Sequence, residues 1–510
     1  MNPEHLIVRA GAGTGKTTTV CNGVAVMKGY KALVSPTPEQ QAVWTEMAKE
    51  NMPGSVHLTS FSTSAAEQLM SKTKVACPAK DVTCSSTYGM GLRQSFRAGY
   101  AEQNKGRLFF TKYSDILCDI WSKTKRQWDE YEYSVLDLVD KARLELMTVP
   151  EEIDIDKLAK WYSIDISDAP LGETTDVVAE ALLRGRRARH QFDYVDMVWM
   201  PNVDGYLKRT YDCLVVDEYQ DMGIAQQELC MKVAWRVMVI GDHHQAIYGF
   251  AGADANAYKR MDGWLSKTQR GLITLPLTQT RRCCRAVVRE ANKCLPPEDR
   301  LVCLPDAPEG EVVETRTGRL NIGDASLWDA GVNEKGHRKS MVICPTNAPL
   351  VSLIYKLQKK GYKAFVQSKD LQTDILKLIP EGSQTVDKLV SSLESRVDRL
   401  SSKPGRAARA KIDTFRTLQE IAEGCSTLSA VRSTVKLMFP EKEPIGWLRM
   451  SSVHQAKGQE AEQVIFWEWD RCASPFSVVD WQKQQDANLL HVGVSRAMTK
   501  LIKARSEEER

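Results

Sequence analysis

The chain has 510 residues, enough for several domains that each bury a core of their own. Charged residues make up 26% and hydrophobic residues 43%, which is ordinary for a soluble globular protein. The net charge of +4 excludes a global polycation, so a nucleic-acid partner would have to be held by a local basic groove.

The cysteines and the N-terminus point to a cytoplasmic protein. The 13 cysteines include no Cys-x-x-Cys pair, and adjacent Cys283 and Cys284 suit neither a zinc site nor a redox motif. We therefore expect reduced, buried thiols. Met1 to Arg9 contains no apolar signal region and no apolar run is long enough to span a bilayer, so no membrane partner is expected.

The first 270 residues contain four apolar runs that read as buried parallel strands. Continuous apolar runs ending in polar residues are typical of such strands, with the chemistry at their C-terminal ends. The runs are His5–Val8, before a Gly-rich turn and a helix; Val56–Phe61, before the helical Ser64–Lys72; Cys213–Val216, ending in acids; and Val237–Ile240, ending in Gly241-Asp242.

Two segments look like helical insertions. Between Arg93 and Arg189 helical periodicity dominates, and the segment ends in a basic cluster, Arg184 to Arg189, that suits a solvated helix end or a nucleic-acid contact equally. A second α/β pattern starts after Gly271, interrupted by the helical Leu371–Phe439. Its candidate strands are Val312–Val313, Ser340–Cys344, Ala364–Val366, Leu448–Val453 and Val464–Trp467.

A phosphate-binding loop follows the first strand. It consists of Ala10, Gly11, Ala12, Gly13, Thr14, Gly15, Lys16 and Thr17, with Thr18 behind it. The glycines let backbone N–H groups converge on phosphates, and the helix that begins near Lys16 adds its N-terminal partial charge. Lys16 would reach the β- and γ-phosphates of ATP, and Thr17 would ligate Mg²⁺. A simple Gly-rich turn does not explain the strand, the helix and the Lys-Thr pair together.

Polar residues after the third and fourth strands complete the catalytic set. Asp217 is expected to hold Mg²⁺ and Glu218 to polarise the attacking water. Gln245 suits a γ-phosphate sensor, and Tyr248 and Phe250 suit stacking on a base. The neighbouring His243-His244 pair is expected to face solvent or to be hydrogen-bonded, because adjacent histidines point in different directions in regular structure.

With these motifs the sequence resembles superfamily 1 helicases of the UvrD/Rep type, and further matches span almost the whole chain. They are Phe61–Ala66 with motif Ia, Ser86–Arg93 with Ib, Phe192–Met197 with the segment ahead of motif II, Leu277–Arg282 with IV, Ser340–Asp370 with IVa, Val453–Glu460 with V and Asn488–Ala497 with VI. The resemblance implies a 3′→5′ DNA helicase or single-strand translocase, working as a monomer on single-stranded DNA and on single-strand/duplex junctions, beside replication, repair or recombination proteins.

The resemblance also implies an α/β fold with two RecA-like P-loop NTPase cores, parallel sheets flanked by helices, and mostly helical insertions. The expected first core is 1–92 and 191–270 around an insertion at 93–190; the second is 271–370 and 441–510 around an insertion at 371–440. Mg·ATP would bind between the cores, with Arg282 and Arg496 stabilising the transition state. Further implied contacts are Gly458 and Glu460 to ATP, and Phe61, Ser62, Thr63, Ser86, Tyr88 and His454 to DNA.

Several positions depart from the family pattern. Only nine residues precede Ala10, so the family's upstream Gln motif is absent, and the similar string Thr37–Val43 lies downstream. Gln40 would read adenine from there; a capped surface helix is the competing interpretation. Ala251 in motif III and Tyr88 in motif Ib replace the family's usual Arg and His, which affects the expected DNA contacts rather than the ATPase. The displaced Gln motif and compact size would suit a phage protein, acting in the host cytoplasm.

Two other hypotheses remain at this point. A helicase of the same superfamily with 5′→3′ polarity or an RNA substrate would use the same backbone and stacking contacts. An ATP-switched DNA-binding loader or recombination accessory protein without unwinding activity would suit the short second insertion and Ala251.

Overall fold

The structure is a computed structural model that describes residues 3–49, 52–99, 108–122, 132–148, 152–162, 164, 166, 171–249, 252–254, 256–334, 336–381, 385–401, 406–475, 477 and 479–507. It divides into two units, Met1–Gln279 and Thr280–Arg510. Within the described residues, no helix combines the length and apolar character needed to cross a bilayer.

The first unit is built on a parallel six-stranded sheet with the order β3-β2-β4-β5-β1-β6. Its strands are β1 (His5–Ala10), β2 (Val56–Ser60), β3 (Val82–Ser86), β4 (Tyr211–Asp217), β5 (Ala234–Gly241) and β6 (Leu272–Leu277). The central β1 and β4 are almost fully buried, as their continuous apolar sequences predict.

Helices cover both faces of this sheet and form the insertion. They are α1 (Lys16–Met27), α2 (Pro38–Ala48), α3 (Thr63–Ala76), α4 (Thr87–Arg97), α5 (Lys112–Ser122), α6 (Glu132–Leu144), α7 (Ile155–Tyr162), α8 (Leu171–Arg187), α9 (Asp196–Val203), α10 (Ile224–Lys232) and α11 (Ala257–Leu265). Helices α5 to α8 pack around an apolar core of their own, which includes Leu117, Leu138 and Val178.

The boundary between the units lies after Gln279, not before Gly271 as expected. Strand β6 pairs in parallel with β1 along its whole length, so it is the edge strand of the first sheet. Pro276 lies within β6, and a proline is tolerated there because an edge strand leaves some N–H groups without a ladder partner.

The second unit contains another parallel six-stranded sheet, with the order β11-β12-β10-β13-β14-β9. After two short strands, β7 (Gln279–Thr280) and β8 (Val302–Cys303), its strands are β9 (Glu311–Arg316), β10 (Ser340–Cys344), β11 (Ala364–Val366), β12 (Leu448–Ser452), β13 (Ala461–Trp467) and β14 (Ala497–Arg505). The expected α/β class with two RecA-like cores of parallel strands and flanking helices is confirmed.

The helices of the second unit include the expected second insertion. They are α12 (Arg285–Ala291), α13 (Ala325–Trp328), α14 (Ala348–Gln358), α15 (Lys369–Leu378), α16 (Val386–Ser401), α17 (Arg406–Glu423), α18 (Leu428–Met438) and α19 (Asp480–Val494). Helices α15 to α18 share one apolar core with α14 and the sheet. Asp413 of α17 accepts hydrogen bonds from the backbone N–H groups of Asn347 (2.9 Å) and Ala348 (3.1 Å), so the insertion caps α14.

Candidate active site

The phosphate-binding loop connects β1 to α1 in a backbone conformation that needs glycine. Gly13 and Gly15 have φ angles of 72° and 80°, in the left-handed region that other residues rarely adopt. The Gly11 N–H donates to the carbonyl oxygen of the last residue of β6 (2.9 Å), which fixes the start of the loop. Because α1 begins at Lys16, the loop lies at a helix N-terminus, where an anion is stabilised.

Two side chains of α1 meet the acidic pair at the end of β4. Thr17 Oγ1 donates to Asp217 Oδ2 (3.3 Å), and Lys16 Nζ lies 3.6 Å from Glu218 Oε1. The pairs join residues about 200 positions apart in the chain, because β1 and β4 both flank β5. The structure therefore brings together the four residues predicted for phosphate, metal and water.

The environment of the acidic pair is unusual in two respects. Burial, together with the neighbouring charge of Glu218, raises the pKa of Asp217 to about 7, against the opposing effect of Lys16. A buried carboxylate of this kind favours a nearby cation. Glu218 has φ of 55°, a left-handed conformation that costs a non-glycine residue about 1–2 kcal/mol. Strain of this kind clusters at functional sites.

Hydrogen bonds link Glu218 to the loop after β5. Gln220 Nε2 donates to Glu218 Oε2 (2.6 Å), and Gln220 Oε1 accepts from the backbone N–H of Asp242 (3.0 Å). Asp242 Oδ2 in turn accepts from Gln245 Nε2 (2.7 Å). The predicted sensor Gln245 is thus connected to the predicted base through Gln220 and Asp242. The sequence interpretation assigned no role to Gln220, and its place within Asp217–Asp221 was the only signal for it.

Gln40 lies beside the phosphate-binding loop but is heavily engaged. Its side chain completes a reciprocal capping box with Thr37 at the start of α2, and its Nε2 donates to Thr19 Oγ1 (3.0 Å). A Cβ added to Gly15 would stand 3.2 Å from that nitrogen. The helix is capped, as the competing interpretation held, yet Gln40 is buried rather than on the surface. Adenine reading by Gln40 stays a prediction.

Two of the predicted DNA-contacting aromatics lie in one row with two residues for which no DNA contact was predicted. The Phe61 and Tyr88 ring centroids are 6.4 Å apart, and Tyr88 is followed by Tyr194 (5.8 Å) and Phe110 (5.9 Å from Tyr194). Tyr194 and Phe110 are exposed, whereas burial raises the pKa of Tyr88 to about 12.

The predicted serines have structural partners as well. Ser62 caps α3 by accepting from Ala65 N (3.2 Å), and Ser86 caps α4 by accepting from Gly89 N (3.3 Å). Thr63 is the exposed first residue of α3. Tyr248 is half-buried in the loop that contains Gln245, while Phe250 and Ala251 lie outside the described residues. The DNA contacts of all these residues stay predictions.

The histidine pair lies in the loop after β5, and its expected hydrogen bonding stays a prediction. His243 and His244 lie in a short 3₁₀ turn, with ring centroids 3.9 Å apart, and His244 is buried. The two rings therefore lie side by side, although adjacent histidines were expected to point in different directions. The basic cluster at the end of α8 is partly neutralised: Arg184 pairs with Asp119, and Arg186 with Asp204.

In the second unit, Arg496 is held by backbone and side-chain acceptors of that unit. The residue is 1% exposed. Its Nε donates to Val492 O (2.9 Å), its Nη1 to Gln459 O (3.2 Å) and its Nη2 to Ser495 Oγ (2.9 Å). A guanidinium fixed through three nitrogens keeps one orientation.

Arg282 reaches the same two segments. Its Nε pairs with Glu460 Oε2 (2.5 Å), and its Nη1 lies 3.4 Å from Ser495 O. Gly458, with φ of 83°, forms the turn of the loop before β13, on which half-buried His454 also lies. The structure thus brings the two predicted arginines and Glu460 together on the segments around residues 459 and 495.

A buried ionic network that sequence reasoning missed anchors the first insertion. Arg143 of α6 is fully buried and donates to Asp193 (2.7 Å) and to Asp196 of α9 (2.9 Å). Lys112 and Tyr113 of α5 also bond to Asp196, at 2.5 and 3.0 Å. The acids belong to Phe192–Met197, which had been read only as a family resemblance.

Comparisons with known proteins agree with the motif assignment. A sequence model of the UvrD/REP helicase N-terminal domain matches residues 2–264, and one of a UvrD-like helicase C-terminal domain matches residues 448–502. The ATP-dependent DNA helicase PcrA of Bacillus subtilis (strain 168) is 25% identical over 310 residues. That alignment covers 57% of this chain and 37% of the relative's length.

Proposed function

Because the chain belongs to the UvrD/REP helicase family, we propose that it is an ATP-dependent DNA helicase or single-stranded DNA translocase that uses Mg·ATP. One observation carries the proposal. The phosphate-binding loop faces a buried carboxylate and a strained glutamate, with Thr17 bonded to Asp217 and Lys16 paired with Glu218. This set of groups suits phosphoryl transfer to water.

The oxygen donors fit a magnesium ion. Thr17 Oγ1 and Asp217 Oδ2 are close enough to share one small cation, and hydroxyl and carboxylate oxygens are the ligands that Mg²⁺ prefers. The raised pKa of Asp217 reports a buried carboxylate that a cation would stabilise. When bound, Mg²⁺ supplies charge neutralisation at the β- and γ-phosphate oxygens.

In ATP hydrolysis each of these residues of the protein has its own role. Lys16 and the loop N–H groups bind and orient the phosphates, and Glu218 accepts the proton of the attacking water. Gln220 holds the Glu218 carboxylate, so the base keeps its orientation. Gln245, at the end of the same network, senses the γ-phosphate. Arg282 and Arg496 of the second unit stabilise the negative charge that builds up on the transferred phosphoryl group.

We infer 3′→5′ movement along DNA from the family. Binding of single-stranded DNA, rather than its direction, is supported by the aromatic row from Phe61 to Phe110, whose exposed rings can stack on bases, and by the half-buried Tyr248 in the loop of Gln245. Base stacking tolerates any sequence, as a translocase requires.

Strand displacement tests the proposal. Duplexes with a 3′ or a 5′ single-stranded tail are incubated with the protein, ATP and Mg²⁺, and single-stranded DNA is added to parallel ATPase assays. We expect DNA-stimulated hydrolysis and unwinding from the 3′ tail only. Lys16→Ala should lower kcat by about 10²–10³-fold, because a charged phosphate ligand is lost.

The possible outcomes separate the hypotheses. ATPase that single-stranded DNA does not stimulate would contradict the motor. Unwinding from the 5′ tail alone would contradict the polarity. DNA-stimulated hydrolysis on every substrate without strand displacement would leave a translocase or an ATP-driven loader. An RNA tail that replaces the DNA tail without loss would contradict the substrate assignment.

A further inference from the structure

The loop before β13, residues 453–460, contacts the two predicted arginines, Arg282 and Arg496, and the side chain of its residue Gln459 bonds to the segment that leads into the second insertion. Gln459 presents its backbone carbonyl to Arg496 Nη1 (3.2 Å). Its side chain points elsewhere, with Nε2 donating to Gln367 Oε1 (2.9 Å) and to Gln455 O (3.0 Å). One residue therefore contacts the arginine with its backbone and a distant segment with its carboxamide.

Gln367 lies where the second insertion joins the sheet. It follows β11 directly, and its N–H continues the ladder by donating to Met450 O (2.8 Å). Lys369, two residues later, begins α15, the first helix of the insertion. Gln367 therefore lies in the short connection between β11 and the first helix of the insertion.

The Gln459 carboxamide also carries an unmet acceptor. Its Oε1 is buried and has no donor among the described residues. Leaving a buried acceptor without a donor costs about 1–3 kcal/mol, and such groups in native proteins call for an explanation. A side chain kept for packing alone would avoid this cost if it were apolar. In this carboxamide the Nε2 group forms the hydrogen bonds, to Gln367 Oε1 and to Gln455 O.

Gln459 is also connected to Arg282, through the next residue in the chain, Glu460. Glu460 pairs with Arg282, and the next residue, Ala461, donates its N–H to Arg496 O (3.1 Å). A shift of Gln459 by a fraction of an ångström would displace partners of both arginines together. Misplacement of this order is sufficient to slow a catalysed reaction.

We propose that the Gln367–Gln459 pair is a positioning element that fixes the loop 453–460, and through it Arg496 and Arg282, against the segment that leads into the second insertion. The inference rests on the proposed function, because it takes the two arginines to act on ATP. Neither glutamine touches the nucleotide in this scheme. Both act through the loop 453–460.

Leucine variants of the two glutamines test the pair. Gln459→Leu and Gln367→Leu keep most of the side-chain volume. Both remove the bond between the two glutamines, and Gln459→Leu also removes the bond to Gln455 O. Each should lower the DNA-stimulated kcat about fivefold, with little change in KM for ATP, because about 1 kcal/mol of positioning is lost while ATP binding is kept. The double variant should be no slower than Gln459→Leu, since that single variant already removes the bond between the two glutamines.

Gln372→Leu is the matched control. Gln372 donates to Phe439 O (2.6 Å) inside the insertion, so its loss weakens the insertion without touching the loop. We expect unchanged kcat for this variant. Equal losses of kcat in Gln372→Leu and Gln459→Leu would show a merely structural effect and overturn the proposal, as would additive losses in the double variant.

Amide hydrogen exchange provides a readout that needs no catalysis. The N–H groups of Gln459 and Ala461 should exchange faster in both leucine variants and not in Gln372→Leu, because the loop loses its anchor. Unchanged protection there would overturn the inference. A wild-type chain without ATPase activity contradicts only the proposed function, and the exchange data still decide whether the glutamine pair fixes the loop.

Discussion

At the scale of single residues, Glu218 combines a chemical role with backbone strain. Its φ of 55° is unfavourable for a side chain with a Cβ, yet it aims the carboxylate at Lys16 and Gln220. Glu218→Gln should keep ATP binding and lower kcat by about 10²–10⁴-fold, because an amide cannot accept the proton from water. ATPase assays with nucleotide-binding titrations would measure both properties.

The strain itself can be isolated with two truncations of Glu218. Glu218→Gly and Glu218→Ala both delete the carboxylate, so they differ only in the backbone. We expect the glycine variant to be more stable by about 1 kcal/mol, the reverse of the usual order, because glycine adopts the left-handed region freely. Urea unfolding would show this. An alanine variant as stable as the glycine variant would mean that no strain is stored.

His57 makes the stability of the first unit depend on pH. The ring is buried in β2 between Thr83 and Ser85, stacked on Tyr211, and burial lowers its pKa to about 3. The unfolded chain, with the ordinary histidine pKa near 6.5, binds the proton more readily. The stabilisation is therefore complete above about pH 6.5 and is lost as the pH falls towards 3.

The expected size follows from this difference in pKa. Between pH 6 and pH 4 the free energy of unfolding should fall by about 1.4 kcal/mol per pH unit through His57, with His5, whose pKa burial lowers to about 4, adding to the effect. Urea unfolding of wild type and His57→Asn over this range would measure it. The variant should show the shallower dependence, and parallel curves would exclude His57 as the cause.

At the scale of helices and strands, the ionic network around Arg143 links helices α5 and α6 of the first insertion to α9. Arg143→Met would remove the main counter-charge of buried Asp196 and of half-buried Asp193, and we expect the free energy of unfolding to fall by about 3–5 kcal/mol. Arg184→Met removes a partly exposed arginine of the same insertion and should cost at most about 1 kcal/mol. Similar denaturation midpoints for the two variants would contradict the importance of burial.

Strands with unbroken apolar sequences were predictable, and others were not. The strands at Ser340–Cys344 and Ala364–Val366 match the sequence prediction to the residue, because buried parallel strands leave a continuous apolar run. The strand β3 was missed, since its sequence Val-Thr-Cys-Ser-Ser is mostly polar. The strand β6 was not among the predicted strands, and its residues were placed in the second core, whereas they pair with β1 of the first sheet. Its own residues do not show which strand it pairs with, and a parallel partner can lie anywhere in the chain.

At the scale of the whole molecule, the parts of the site that are local in sequence could be predicted. The parts that depend on contacts between distant segments could not. The phosphate-binding loop is local, so eight consecutive residues indicated it. The bonds from Glu218 through Gln220 and Asp242 to Gln245 exist because β4 and β5 are neighbours, which no local pattern reveals. The positioning role proposed for Gln459 could not be predicted from the sequence for the same reason, because it depends on a contact with Gln367, 92 residues away.

The pairing of β1 affects how the protein can be made and divided. The strand that precedes the phosphate-binding loop is synthesised before its two neighbours, β5 and β6, which lie within residues 234–277. During most of the synthesis of the first unit, the backbone N–H and C=O groups of β1 therefore have no neighbouring strand to pair with. In that period chaperones can bind them, or they can pair with other chains and aggregate. A fragment cut at residue 264, where the family match ends, would leave one edge of β1 bare permanently, whereas a fragment that continues to Gln279 would cover it.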